Sequence, residues 1–97
     1  MKKVLIIDKM HESITSMLEE IACQPTYQPN ITREEILDII NGFEGIIIRS
    51  KTKIDRELLD KATNLKFIAR AGAGIDLIDI KEVEKRNISL FNAPEGN

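Results

Sequence analysis

Short, nearly continuous apolar runs recur along this chain at Val4-Leu5-Ile6-Ile7, Gly45-Ile46-Ile47-Ile48, Lys66-Phe67-Ile68-Ala69 and Ile88-Ser89-Leu90-Phe91. Runs of four residues with little polar alternation suit strands buried on both faces, which is the environment of a parallel sheet. Helical patterns lie between them. Ser13 to Ala22 places Ile14, Met17, Leu18 and Ile21 on one stripe before Pro25 forbids further helix. Thr32-Arg33-Glu34-Glu35 has the form of a capping box ahead of Ile36, Ile39 and Ile40, with Asn41-Gly42 as the stop signal. Asp55 can cap a helix containing Leu58, Leu59 and Ala62, and Asp79-Ile80-Lys81-Glu82 reads as a second capping box before Val83. Thr26 to Gln28, between Pro25 and Pro29, is a weak polar strand of the kind that prolines confine to an edge.

The pattern is therefore (βα)₄β. Strands alternating with helices imply parallel pairing, right-handed crossovers and helices on both faces of the sheet. The expected fold class is α/β, a flavodoxin-like three-layer α/β/α arrangement whose five-stranded parallel sheet has the order 2-1-3-4-5. With 97 residues there is room for one core and no second domain, and stability should be modest at this size.

Charge and cysteine content exclude several classes. Fourteen Lys and Arg against sixteen Asp and Glu leave a net charge of −2, so there is no general basic field for nucleic acid. One cysteine, Cys23, permits neither an internal disulfide nor a multi-cysteine zinc cage, fits a reducing compartment such as the cytoplasm, and reads as a small buried residue. The apolar runs are far shorter than the ~20 residues a membrane-spanning helix needs, and no signal peptide is expected.

In an open parallel sheet, ligands settle beyond the carboxyl ends of the strands. The loops expected there open at Asp8, Arg49, Arg70 and Asn92, and they carry Arg49, Lys51, Lys53 and Arg70 on one rim of a slightly acidic protein. Taken singly such cations are as often solvated bystanders, but two arginines at equivalent strand ends point to an anion site. The planar guanidinium suits carboxylate and phosphate, and Gly72 and Gly74 would let backbone amides approach. Gly72-Ala73-Gly74 follows a strand, yet the third glycine of a dinucleotide fingerprint would fall at Leu77. Asp76 and Asp79 read as turn and cap residues rather than a carboxylate pair, and His11 reads as a surface residue. No nucleophile–base pair, P-loop or metal spacing is visible in the sequence.

Three stretches carry a family resemblance. Asn64 to Asp76, continuing through Ile78-Asp79, the segment Phe91-Asn92-Ala93-Pro94-Glu95-Gly96-Asn97, and Ile48-Arg49-Ser50-Lys51-Thr52-Lys53-Ile54 together resemble the D-isomer-specific 2-hydroxyacid dehydrogenases, above all the branch acting on 3-phosphoglycerate. The resemblance implies that residues 1–97 are the amino-terminal part of a substrate-binding domain. It implies that Arg49, Ser50, Arg70, Gly72, Ala73, Gly74 and Asn97 bind substrate, and that Ala73 also faces the nicotinamide of NAD. No catalytic residue and no NAD-binding domain would belong to this chain; both would follow Asn97, and these residues alone would be inactive. The complete enzyme would be a homo-oligomer transferring hydride between the C2 hydroxyl of 3-phosphoglycerate and NAD in L-serine synthesis. Leu77 departs from the Asn frequent there in the family. The competing expectations are a sister dehydrogenase acting on glyoxylate, hydroxypyruvate or D-lactate, and a non-catalytic flavodoxin-like binding module. A receiver domain would want an aspartate where Arg49 stands, and a flavin protein a Ser/Thr/Gly-rich loop where Asp8 to His11 stand.

Overall fold

In the computed structural model, residues 2–8, 23–49, 52–71 and 77–93 are described. They form strands β1 (Lys2–Ile6), β2 (Cys23–Tyr27), β3 (Gly45–Ile48), β4 (Phe67–Ala71) and β5 (Ser89–Ala93), with helices α1 (Arg33–Ile39), α2 (Arg56–Lys61) and α3 (Ile80–Lys85). All neighbouring strands are parallel, in the order β2-β1-β3-β4-β5. This is the flavodoxin-like α/β order expected from the sequence.

The pleat sorts the apolar runs into two faces. Leu5, Ile46, Ile48 and Ile68 pack with Ile36 of α1, Leu58 and Leu59 of α2 and Val83 of α3. Val4, Ile6 and Ile47 share the other face with Phe67 and Ala69. Adjacent residues of β1 and β3 are thus buried on opposite sides, which is why these strands lack polar alternation. The three described helices all cover the first face because the crossovers from β2 to β5 advance in one direction across the sheet. The helix expected over Ser13 to Ala22 lies outside the described residues.

Boundaries differ from the sequence reading where pairing, not hydrophobicity, sets them. β1 starts at Lys2 because Lys2 and Lys3 pair with Cys23 and Gln24. β2 runs from Cys23 to Tyr27 and takes Pro25 into an edge strand bonded only to β1. β4 and β5 run on to Ala71 and Ala93 through the pairs Arg70–Asn92 and Ala71–Ala93. Arg70 and Asn92 are therefore strand residues, not loop residues.

The caps follow side-chain chemistry. Thr32 Oγ1 accepts from the Glu35 amide (3.3 Å) while Glu35 Oε1 accepts from the Thr32 amide (3.0 Å), completing the expected box. Asp55 and Asp79 accept from Leu58 and Glu82 amides, each at 3.2 Å. The second box is only half formed, because the Glu82 carboxylate turns to Arg86 and Arg56 instead of reaching back. The stop after α1 is a 3₁₀ turn, Ile40–Gly42, in which the Phe43 amide donates to Ile40 O, and Gly42 stays out of the left-handed region. The left-handed cap instead falls at Asn87 (φ 58°) after α3. There Ile88 N donates to Val83 O and Asn87 N to Glu84 O, each at 3.1 Å, a Schellman pair closed by the buried Val83 and Ile88 side chains.

Candidate functional site

The carboxyl ends of β1, β3, β4 and β5 form one rim, and the site residues reach it by different routes. Strand register puts Ile48, Arg70 and Asn92 side by side on adjacent strands. Alternation along β4 directs Arg70 to the helix-covered face with Ile68, where its side chain is half-buried and its Nε is out of contact with solvent. Arg49 is exposed and lies one residue beyond β3, in a bend, so the pleat no longer dictates its direction. Its backbone is held instead by Asp8. That carboxylate is only 9% exposed, and its Oδ2 accepts the Arg49 amide at 2.6 Å. A bond this short from an amide to a carboxylate side chain is of the stronger kind, so the exit of β3 is tied firmly to the exit of β1.

The loops leaving β3 and β4 are joined again further on. Ile54 and Ile78 make an isolated parallel bridge, with Ile54 N donating to Leu77 O (2.7 Å) and Asp79 N to Ile54 O (2.9 Å). Both loops thus begin beside one another at Ile48 and Arg70 and end beside one another at Ile54 and Ile78. Backbone pairing fixes both ends of each connection.

Arg33 holds this frame from the side. Its Nη1 donates to Thr52 Oγ1 (2.8 Å) and Lys53 O (2.9 Å), and its Nη2 to Asp55 Oδ1 (2.7 Å) and Glu57 Oε1 (3.2 Å). The Asp55 hydrogen bond, with help from Glu57 and against some desolvation, raises the Arg33 pKa. Partial burial pushes the Asp55 carboxyl up, but the Arg33 bond, the Leu58 amide and the Arg33 charge together hold it below its ordinary value.

Of the residues expected to bind substrate, Arg70 lies within β4 and Arg49 just past the end of the adjacent β3, both at the rim. Ser50, Gly72, Ala73, Gly74 and Asn97 lie outside the described residues, as do Lys51, Asp76 and His11. Asp79 is the helix cap it was read to be. Sequence reasoning missed the roles of two rim residues. It places Asp8 at the opening of a rim loop but gives it no partner, although a carboxylate closing a buried strand needs a donor, which is a usable signal. Arg33 was absorbed into the capping box; its partners are 19 to 24 residues away in sequence, and nothing local announces them.

Elsewhere, a shallow cleft of about 230 Å³ lined by Leu59, Asp60, Thr63, Leu65, Arg86 and Ile88 lies where α2 and α3 end. It is below the usual size of a ligand pocket, and Asp60 and Glu82 engage its guanidinium. Among the described residues there is no cluster of three potential metal ligands, and no helix is long and apolar enough to cross a membrane.

This rim belongs to a known architecture: the chain is a member of the D-isomer specific 2-hydroxyacid dehydrogenase family, whose catalytic-domain model it matches over residues 4–97. It is 36% identical, over its full length, to D-3-phosphoglycerate dehydrogenase of Methanocaldococcus jannaschii, of which it spans 18%. A solved protein of Pyrococcus horikoshii superimposes with a TM-score of 0.87 at 33% identity, covering 96% of this chain and 28% of that one. The NAD+-bound 3-phosphoglycerate dehydrogenase of Entamoeba histolytica superimposes with a TM-score of 0.81 at 30% identity, covering 94% and 32%. The chain thus corresponds to under a fifth of the curated relative and about a third of the solved ones.

Proposed function

We propose that this chain is the amino-terminal part of the substrate-binding domain of an NAD-dependent D-3-phosphoglycerate dehydrogenase, the cytoplasmic enzyme that oxidises 3-phosphoglycerate to 3-phosphohydroxypyruvate. The observation that carries this is the placement of Arg49 and Arg70 at the ends of adjacent strands, in a chain with full-length similarity to an enzyme of that name. Two guanidinium groups match a substrate bearing a phosphate at one end and a carboxylate at the other. The chain's role is orientation: anchoring the two anionic ends sets C2 and its hydroxyl at a defined place over the rim.

The described residues do not themselves fit a dinucleotide. The turn after β1, where a pyrophosphate would want free glycine amides, opens with the buried Asp8 carboxylate bonded to the Arg49 amide. NAD would therefore be held by sequence outside this chain, which would also supply the proton-transferring and carbonyl-polarising groups. Ala73 would face the nicotinamide, and Ser50, Gly72, Gly74 and Asn97 would complete the substrate contacts. The complete enzyme would be a homo-oligomer, and this piece alone silent.

A substrate panel tests the reading. The complete enzyme should oxidise 3-phosphoglycerate with a kcat/KM at least about 100-fold above glycerate, which lacks the phosphate and leaves an arginine unanswered. Arg70→Ala should raise KM for 3-phosphoglycerate by roughly 10- to 100-fold, the worth of a charge-assisted contact. Equal use of glycerate, or unchanged kinetics in Arg70→Ala, removes the proposal.

A further inference from the structure

We propose that Arg33 is a positioning residue for Arg49: by fixing the far end of the loop that starts at Arg49, its guanidinium sets where that arginine can meet an anionic substrate group. The inference rests on the function proposed above. It starts from a mechanical fact. The Arg49 loop is pinned at its origin by Asp8 and at its end by the Ile54–Ile78 bridge; between these points Arg33 engages Thr52 Oγ1 and Lys53 O, and just past the bridge it engages Asp55 Oδ1, all within 2.9 Å. Thr52 is only 6% exposed, so its hydroxyl is held in a protein environment, and a bond there resists displacement by water.

The guanidinium is delivered from a rigid base. Arg33 follows Thr32 directly, and the capping box ties both the amide and the hydroxyl of Thr32 to Glu35. One planar fork then meets four acceptors on a segment six residues long. Lysine, a single flexible point charge, cannot span them all. Two acceptors, a backbone carbonyl and a buried hydroxyl, have nothing to do with charge pairing; they orient the chain rather than neutralise it.

A matched comparison exists within the same molecule. Arg86 also bridges separate elements, through Leu59 O (3.2 Å), Asp60 Oδ1 (2.6 Å) and Glu82 Oε1 (3.3 Å), and its side chain is 30% exposed against 32% for Arg33. It does so where α2 and α3 end, far along those helices from the rim. Loss of either clamp should lower stability, but only the first should reach the substrate.

The experiment compares Arg33→Lys, Thr52→Val and Arg86→Lys in the complete enzyme by steady-state kinetics with 3-phosphoglycerate, and by hydrogen exchange over residues 52–57. Arg33→Lys is expected to raise KM on the order of tenfold, with kcat within about twofold, and to speed exchange at the Ile54 amide. Thr52→Val should move both readouts the same way by less, and Arg86→Lys should lower the melting temperature while leaving both as in the wild type. Wild-type KM and exchange in Arg33→Lys, or equal KM increases in Arg33→Lys and Arg86→Lys, overturn the proposal. A wild-type enzyme that does not use 3-phosphoglycerate refutes the proposed substrate instead. Exchange then decides Arg33 alone, and unaltered protection of residues 52–57 in Arg33→Lys overturns its role.

Discussion

Gly45→Ala should be one of the most damaging single-methyl additions in this protein, and the reason is a neighbour rather than the backbone. Gly45 opens β3 and pairs in register with Phe67 of β4. The Phe67 ring lies over the glycine so closely that a Cβ built there would fall among the ring atoms Cζ, Cε1 and Cε2. An aromatic ring shielding a strand glycine is a known device for filling the space left by the absent side chain. To admit the methyl, the half-buried ring must swing away, abandoning its face with Val4, Ile6 and Ile47 and its edge-on contact with Phe91 at 6.3 Å and 68°. Re-exposing about 100 Å² of ring, roughly half of what an aromatic side chain buries, costs about 2.5 kcal/mol at ~25 cal/mol per Å². The lost ring pair adds ~0.5–1.5 kcal/mol, and the smaller backbone entropy of alanine returns ~0.5–1 kcal/mol. The net expectation is a loss of about 2–3.5 kcal/mol, on the order of 10–25 °C in melting temperature for a chain this size. Urea unfolding of wild type, Gly45→Ala, Phe67→Ala and the double variant measures it as a cycle. In the Phe67→Ala background the glycine substitution should be neutral or stabilising. A loss below about 0.5 kcal/mol in the single variant, or an equal loss with and without the ring, refutes the reasoning.

Two further outcomes follow from the caps and the ion pairs. Asn87→Gly should stabilise by roughly 0.5–1 kcal/mol in the same urea assay, because glycine holds φ 58° without the steric penalty of a Cβ, whereas Asn87→Val should destabilise by at least about 1 kcal/mol. The Arg86 hydrogen bond, with Arg56 and Lys85 charges and against desolvation, holds the Glu82 carboxyl below its ordinary 4.5, and Asp55 is likewise held below 3.8. The unfolded chain takes up these protons at higher pH than the folded one, so their contribution is complete above about pH 5 and is lost as pH falls through the depressed folded values. Melting temperature should decline below about pH 5, and less steeply once Arg86→Leu has removed the partner that lowers Glu82; an unchanged slope would show that Arg86 does not set it.

What local sequence determined was the kind of element, its ends and the class of fold. Val4 to Ile7 and Gly45 to Ile48 announce strands buried on both sides because only a sheet covered on both faces tolerates such runs. Thr32, Asp55 and Asp79 announce helix starts because each side chain satisfies the amide three residues on. Motif spacing alone was enough to mark Arg49 and Arg70 as neighbours at the ends of adjacent strands. Interactions that close long loops of chain were settled only in the tertiary structure. The Arg49 amide meets Asp8 across 41 residues, Arg33 meets Glu57 across 24, and Glu82 abandons its own cap for Arg86 and Arg56. Such partners carry no periodicity and no fixed spacing, since strand order and register decide which distant side chains share a rim. Even Arg70 changed character this way: pairing with Asn92 carried β4 past the end of its apolar run, and the pleat then chose the face on which that arginine stands.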